Sequence, residues 1–266
     1  MKNNKITYHS LKYEMLNLLA NGYIPFFGIV FPIFMMLLIS YAVGKDVPAD
    51  FTQLVMTKIM VTMMMIVPLA ITFLGHSSIY SEELEKQIPQ RLDMFGVTLR
   101  SQLISKMIVQ FILLTFAMGL NYAVGFMTLD VYTPNAGDFL LVNLYFYLLA
   151  VSLFILGHGI ANWIRRHAPA FGLAMALYFS FMVLGGVMGI EVDDFPPVME
   201  SIAKIFPFYY VQSLFVKVWM GKEVSIMPAV QSLIFFLALA LLVFFTSNLF
   251  HKRHRIGFGQ RKEVTR

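Results

Sequence analysis

The chain has 266 residues, of which 58% are hydrophobic and 13% are charged, and its formal net charge is +5. A soluble domain carries about 25% charged residues, so these charges are too few to cover a soluble surface, and the apolar excess is expected to face lipid. Cysteine is absent, which excludes disulfides, thiolate metal sites and thiol nucleophiles. The composition therefore predicts an all-α integral membrane protein whose positive charge reflects membrane topology rather than nucleic-acid binding.

The first predicted element is an amphipathic helix over residues 8–21. Polar side chains at helical spacing occupy one of its faces: Ser10, Glu14, Asn17 and Asn21. Apolar side chains occupy the opposite face: Tyr8, Leu11, Met15, Leu18 and Leu19. This pattern is typical of a helix lying in a membrane interface. A passive anchor is the alternative interpretation.

Six stretches follow that are long enough to cross a bilayer, which takes about 20 apolar residues. The predicted spans are Tyr23–Val43, Val55–Leu74, Ser105–Met127, Phe139–Trp163, Ala168–Ile190 and Met227–Phe250. We treat residues 1–266 as a single transmembrane domain. With both termini in the cytoplasm, 15 of the 20 Lys and Arg residues fall inside and 5 outside, which predicts that orientation. Compact size and the absence of cysteine favour a bacterial plasma membrane.

Residues 81–96, between spans two and three, form the second informative segment. Ser81 is predicted to cap a short helix that Pro89 ends or kinks. Phe95-Gly96 predicts a turn, and Thr98 is expected to cap the entry to span three. Apolar side chains among charges suggest a docking surface: Ile88, Leu92 and Phe95. A solvated loop packed on its own helix ends is the alternative.

Residues 195–220, before the last span, form the third segment, which we call the outer segment. The Pro196-Pro197 pair and Pro207 divide it, and it is rich in Phe, Tyr and Trp. Aromatic density of this kind is typical of the membrane–water interface. The segment predicts two short helices, partly re-entrant, with an aromatic belt that has no gating role as the alternative.

Taken in order, these features resemble the ABC-2 type permease family, the membrane subunit of a class of ABC exporters. The local match comprises the acidic start at Glu83 and Glu85, Arg91-Leu92, the Phe95-Gly96 turn and Ser105-Lys106. A second match runs from Pro197 through Pro207 and Tyr210. The chain departs from the family at Gln87-Ile88, where many members have Gly-Thr.

The resemblance implies that cytoplasmic ABC ATPase subunits dock on the 81–96 segment as a coupling helix, with residues 8–21 as the connecting helix beside it. The implied docking residues are Glu82, Glu83, Lys86, Arg91, Leu92, Phe95 and Gly96. The implied outer-gate residues are Pro197, Phe206, Pro207, Tyr209 and Tyr210. Two permease chains, or this chain and a similar partner, would pair within the membrane lipids. ATP and Mg would bind the partner ATPase, and this chain would be non-catalytic, without a cofactor or metal.

The implied function is ATP-driven export of an amphipathic or hydrophobic substrate, such as a drug, a peptide or a lipid-linked molecule. Gly44-Lys45 and Gly221-Lys222 lack the rest of a P-loop, so ATP hydrolysis is expected in a separate subunit. An ATP-independent membrane carrier or channel is the main alternative, and a membrane enzyme is a further one. His158 lies within span four, where we expect a neutral imidazole bonded to a neighbouring helix.

Overall fold

The computed structural model describes residues 7–187 and 191–263, with side chains described up to residue 250. Within those residues the chain is helical and contains no strand. The helices are α1 (Tyr8–Ala20), α2 (Tyr23–Gly44), α3 (Ala49–Glu85), α4 (Ile88–Met94), α5 (Leu99–Thr128), α6 (Ala136–Ile164), α7 (His167–Leu184), α8 (Pro197–Ala203), α9 (211–219) and α10 (Met227–Glu263).

Six of these helices are long and apolar enough to cross a membrane: α2, α3, α5, α6, α7 and α10, the last over Met227–Phe250. This confirms the six predicted spans and the all-α membrane class. The predicted end of span five at Ile190 lies outside the described residues. The second span is longer than predicted, because α3 continues without a break from Ala49 to Glu85.

Helix α3 is the centre of the bundle. Its side chains are almost all buried from Met56 to Ile79, and α2, α5, α6 and α7 pack around it. By contrast, only about a quarter of the residues of α2, α7 and α10 are buried, and many of the exposed ones are large and apolar. The outer helices therefore present apolar surface to lipid or to another membrane chain.

Two of the three prolines in α2 and α3 are followed directly by irregular helix turns. A π-helical turn, Phe26–Val30, follows Pro25, and another, Leu69–Gly75, follows Pro68. Proline removes a backbone donor, and π-turns are common where helices are distorted. The two irregular turns meet where Gly28 packs on Ile71, so that a Cβ at position 28 would lie 2.6 Å from Ile71 Cγ1.

We expect Gly28→Ala to destabilise the fold by about 1–3 kcal/mol, because Ile71 is fully buried and an added methyl overpacks the contact. Thermal unfolding of the detergent-purified protein measures the effect. Gly119→Ala is the matched control, since a Cβ at that helical position would meet no atom within 4 Å apart from its chain neighbours and the backbone of its own helix. Equal stability of the two variants would contradict the prediction.

Candidate functional site

The predicted site residues of the 81–96 segment lie at one end of the bundle, where several helices meet. Helix α3 ends there, α5 and α7 begin there, and α1 packs on α5 beside them. The backbone N–H of His167, the first residue of α7, donates to Glu85 Oε2 at 2.6 Å. The 81–96 segment is therefore held by elements from three different parts of the chain.

The prediction that Ser81 starts a new helix is wrong. Ser81 lies inside α3, fully buried, and its hydroxyl donates to the carbonyl of Ser78 at 3.0 Å. The break falls instead at Gln87, whose φ is +57°. Pro89 then occupies the second position of α4, where its missing N–H would have had no partner in the helix. Pro89 therefore belongs to the start of a helix rather than to its end.

The exit from the segment follows the prediction. Gly96 has φ +94°, which places the turn after Phe95 as expected. Thr98 caps α5, since its Oγ1 accepts from the backbone N–H of Ser101 at 3.2 Å. The Gln102 side chain donates to the carbonyls of Pro89 at 3.2 Å and Val97 at 2.9 Å, and so fixes α4 against α5.

The tip of the segment is an exposed apolar surface. Phe95 is 85% exposed and Met94 is 78% exposed, and Leu99 is exposed beside them. Arg91 is also exposed, whereas Ile88 and Leu92 are half-buried. Glu82 and Lys86 form an ion pair on the same segment. The sequence analysis did not assign Met94 and Leu99 to this surface. Their positions next to Phe95 and Arg100 in the chain were a signal that could have placed them there.

Glu83, predicted to lie on this surface, is instead buried in what we call the ion cluster: Lys106, Glu14 and Glu83. The Lys106 ammonium lies 2.6 Å from Glu83 Oε1 and 2.7 Å from Glu14 Oε2. The Asn17 side-chain amide donates to Glu83 Oε1 at 3.0 Å. Each of the three charged residues is at most 5% exposed. The cluster therefore joins α1, α3 and α5 in the interior, and Glu83 is not available for direct docking.

The polar face of α1 points into the protein. Glu14 belongs to the ion cluster, and Asn17 donates a hydrogen bond to it. Ser10 Oγ lies 2.8 Å from Ser105 Oγ on α5. Tyr8 and Leu19, predicted on the membrane-facing side, are exposed, whereas Leu18 is buried. A location of this helix in the membrane interface stays a prediction.

The ion cluster carries more acid than base, since two carboxylates face one ammonium. Burial raises the pKa of the Glu14 carboxyl above its ordinary value, and the nearby Glu83 charge adds to that rise, while Lys106 opposes it. Such a cluster is costly to disrupt, because removing one partner leaves the others buried and uncompensated. It is suited to hold the base of the 81–96 segment in a fixed position.

A second buried polar group lies next to the ion cluster. His158 Nδ1 on α6 is 3.2 Å from His76 Nε2 on α3, and the Gln110 amide on α5 is 3.0 Å from His76 Nδ1. Tyr80 stacks on His158, with 4.2 Å between ring centroids. The expected contact of His158 with a neighbouring helix is confirmed.

The predicted gate residues lie at the opposite end of the bundle. Pro197 is the exposed first residue of α8, and Phe206 is half-buried against Phe181 and Phe236. The carbonyl of Pro207 accepts from the Tyr145 hydroxyl at 2.7 Å. Tyr209 is buried, and Tyr210 donates to the carbonyl of Lys204 at 3.0 Å.

The outer segment does contain two short helices, α8 and α9. Its largest aromatic side chains point into the protein rather than outward, because Phe208, Phe215 and Trp219 are all at most 2% exposed. These three side chains therefore pack within the protein instead of facing lipid, and a location of the segment at the membrane interface stays a prediction. Whether the segment re-enters the membrane stays a prediction.

A family model described as "ABC-2 family transporter protein" matches residues 51–248, which is about three quarters of the chain. The chain belongs to the ABC-2 transporter family. The match begins in α3 and ends in α10, so it contains the 81–96 segment, Glu83 and Lys106 of the ion cluster, and the whole outer segment. No curated protein and no solved structure matches the chain.

Membership of the ABC-2 family identifies this multi-pass membrane protein as a permease subunit of an ABC transporter. Permeases of this kind are membrane transport subunits. The family assignment gives the 81–96 segment a context, because an ABC permease works with ATPase subunits that lie outside the membrane.

Proposed function

We propose that the chain is the permease of an ATP-driven exporter and that its ATPase partner docks on the exposed tip of the 81–96 segment. The observation that carries this proposal is that the 81–96 segment has an exposed apolar tip, whereas the base of the segment is held by buried contacts. Phe95 and Met94 project at the tip, while Glu83 and Lys106 lock its base inside the bundle. Exposed apolar side chains among charges mark protein-interaction surfaces.

The charged residues of the segment complete the proposed docking surface. Arg91 and the Glu82–Lys86 pair flank the apolar tip, and charges at the rim of an interface set its orientation and specificity. Gly96 permits the turn that presents Phe95. Glu83 acts in this scheme as a positioning residue, since it holds the segment on α5 and α1.

Force applied to the tip of the 81–96 segment would reach the spans through α3 and through the buried side-chain contacts of the segment. Helix α3 runs from the docking segment through the centre of the bundle to Ala49 near the other end. The ion cluster links the same segment to α1 and α5, and Glu85 links it to α7. An ATPase that closes on ATP binding would thereby move several spans together.

We further propose that both termini are cytoplasmic, which places the docking tip in the cytoplasm and the outer segment outside. Exposed apolar faces of α2 and α7 favour pairing with a second permease chain. The outer segment, with Pro197, Phe206, Pro207, Tyr209 and Tyr210, would form part of the exit gate. The substrate is an amphipathic or hydrophobic molecule.

Affinity purification of the tagged chain from its native membranes in mild detergent tests the docking proposal. We expect an ATPase to co-purify with the unaltered chain. The variant with both Met94→Ala and Phe95→Ala should recover at least about tenfold less of it, because truncating central interface anchors costs more than 1 kcal/mol each. Stability should change little, since both side chains are exposed.

Met127→Ala is the matched control, because Met127 is 84% exposed at the opposite end of α5. It should leave ATPase recovery unchanged. No ATPase with a well-folded unaltered chain would overturn the exporter proposal. ATPase retained by the double variant would overturn the assignment of the docking surface.

A further inference from the structure

The charges of the ion cluster do not cancel. Two carboxylates, Glu14 and Glu83, face the one ammonium of Lys106, so the three ionised groups would leave a net charge of −1. Each of these residues is at most 5% exposed. A buried charge without compensation is so costly that an ionisable group neutralises instead, by taking up or releasing a proton. The cluster is therefore expected to bind one proton on one of its carboxylates.

The surroundings of the cluster do not supply the missing positive charge. Helix α2, which packs on the end of α1, contains no Asp, Glu, Lys, Arg or His. The other charged side chains of α1, α3 and α5 at this end of the bundle face water or have partners: Lys12 and Arg100 are exposed, Lys86 pairs with Glu82, and Glu85 accepts from His167. Arg165, which follows α6, donates to Asn162. The remaining titratable side chains around the cluster are Tyr13, His76, Tyr80 and His158.

Glu14 is the carboxylate expected to carry the proton, because the cluster stabilises its two carboxylates unequally. Glu83 Oε1 accepts from the Lys106 ammonium at 2.6 Å and from the Asn17 amide at 3.0 Å. Among the residues that the structure describes, the donor to the Glu14 carboxylate is Lys106, at 2.7 Å. Each donated hydrogen bond stabilises the ionised form of a carboxyl group. Burial raises the pKa of Glu14 above its ordinary value, although Lys106 opposes the rise.

Helix α1 depends on the cluster for its attachment to the bundle. Side-chain contacts join it to α3 and α5: Glu14 with Lys106, Asn17 with Glu83, and Ser10 with Ser105. Without the proton, two carboxylates would repel each other across a single ammonium. Helices α3 and α5 run through the bundle, whereas α1 is a separate helix of 13 residues. Helix α1 is therefore the element that can relieve the repulsion by moving away.

We propose that the ion cluster is a proton-binding site, which holds one proton on Glu14 and loses it as the pH rises, and that this proton keeps α1 attached to α3 and α5. Loss of the proton also weakens the base of the 81–96 segment, because Glu83 belongs to both. Proton binding follows from the cluster alone. The further step, that the pH on this side of the membrane regulates coupling to the ATPase, rests on the proposed exporter function.

The pH dependence of stability reports this proton. A carboxyl whose pKa is raised in the folded protein contributes stability that is full below its unfolded pKa and is lost as the pH rises through its folded pKa. We therefore expect the unfolding temperature of the detergent-purified chain to fall as the pH rises above 4.5, the ordinary value for Glu. Glu14→Gln should remove this component of the fall, because a neutral amide replaces the protonated carboxyl. Other titrating groups are common to both proteins, so the difference between the two curves isolates Glu14.

Three further variants test the charge balance itself. Glu83→Gln leaves Glu14 and Lys106 as a balanced pair, so no proton is needed and the pH-dependent component should disappear. Lys106→Met leaves two carboxylates without a cation, so the cluster should bind a second proton and the stability loss should shrink as the pH falls. Glu82→Gln is the control, because Glu82 pairs with Lys86 on the surface and its loss should leave the pH dependence unchanged.

Infrared difference spectroscopy between two pH values identifies the protonated group. A protonated carboxyl has a C=O stretch that an ionised carboxylate lacks. Above the ordinary carboxyl range we expect such a band to vanish with rising pH in the unaltered chain and in Glu82→Gln. The band should be absent from Glu14→Gln and from Glu83→Gln. A band that persists in Glu14→Gln would overturn the assignment to Glu14, and the absence of any band from the unaltered chain would overturn the proton site.

Tryptic cleavage at Lys12, an exposed residue in the middle of α1, tests the attachment of this helix. Cleavage at Lys217, exposed at the opposite end of the bundle, corrects for the pH dependence of trypsin. The ratio of the two rates should rise with pH by up to about tenfold per pH unit, the limit for one proton. In Glu14→Gln the ratio should stay constant. A constant ratio in the unaltered chain would overturn the role of the proton in holding α1.

These measurements use the permease alone, so they decide on the proton site whether or not an ATPase co-purifies. Where it does, substrate-stimulated ATP hydrolysis should depend on pH less in Glu14→Gln than in the unaltered chain. Equal pH dependence of the stimulation in the two proteins would overturn the regulatory step and leave the proton site standing. Absence of any ATPase would count against the exporter and leave the proton site standing as well.

Discussion

Lys106→Met is expected to destabilise the protein by about 3–5 kcal/mol, because it leaves Glu14 and Glu83 buried without a counter-charge. Methionine keeps the volume and the apolar stem of lysine, so packing changes little. Lys106 is 3% exposed and lies within 2.7 Å of an oxygen of each carboxylate. Thermal unfolding of the detergent-purified chain, monitored by circular dichroism, measures the loss.

Lys86→Met is the control for charge removal as such. Lys86 pairs with Glu82 on the surface, with 62% of its side chain exposed, and exposed pairs contribute little to stability. A loss at Lys106 no larger than the loss at Lys86 would show that the ion cluster does not stabilise the fold.

A triple variant separates stability from coupling. Glu14→Gln and Glu83→Gln combined with Lys106→Met remove every charge of the ion cluster and should restore most of the lost stability, because neutral replacement of a buried ion pair is often close to neutral. If the charges only maintain the fold, ATPase recovery and substrate-stimulated ATP hydrolysis will return with stability. If the cluster transmits force, ATP hydrolysis will return without stimulation by the substrate.

The six spans could be predicted from the sequence because a long apolar run is a property of composition. The end of α3 could not. Residues 75–85 are mostly polar, yet His76, Ser77, Ser81 and Glu83 are buried by neighbouring helices. Hydropathy assigns such residues to a loop, whereas packing against α6 and α7 keeps them in a continuous helix.

For a related reason, the ion cluster could not be predicted from local patterns in the sequence. Glu14 and Lys106 are 92 positions apart in the chain. From the sequence, Glu14 belonged to the polar face of the first helix and Lys106 to the start of span three, so nothing indicated that the two side chains meet. The periodicity of α1 correctly predicted a helix with a polar face, but periodicity does not reveal whether that face meets water or a buried ammonium. Likewise, the aromatic residues of the outer segment indicated an interface, while Phe208 and Trp219 in fact fill the protein interior.

Trp219→Ala is expected to cost about 3–5 kcal/mol, since truncation of a buried tryptophan leaves a large cavity. Trp219 is fully buried, and its indole N–H donates to the carbonyl of Tyr132 at 2.8 Å. Its ring stacks on Tyr122 at 5.5 Å between centroids and meets Phe139 at 5.7 Å. This one side chain therefore joins the outer segment to α5, to α6 and to the connection between them.

A second substitution at Trp219 separates its hydrogen bond from the presence of an aromatic ring. Trp219→Phe keeps an aromatic ring but leaves the Tyr132 carbonyl without its donor, so it should cost about 1–3 kcal/mol. Trp163→Ala is the matched control, because Trp163 is 45% exposed and its truncation should cost less than either change. Thermal unfolding in detergent ranks the three variants, and a larger loss at Trp163 than at Trp219 would contradict this account.

The outer segment should also become accessible when Trp219 is removed. Lys217 and Lys222 are exposed on either side of Trp219, but tryptic cleavage there requires the backbone to leave α9 and the turn that follows it. We expect Trp219→Ala to accelerate cleavage at these two lysines while cleavage at Lys86, at the far end of the bundle, keeps its rate. Acceleration at all three lysines would indicate global unfolding instead. Selective acceleration would mean that the outer segment opens as a local unit, which is the property required of an exit gate.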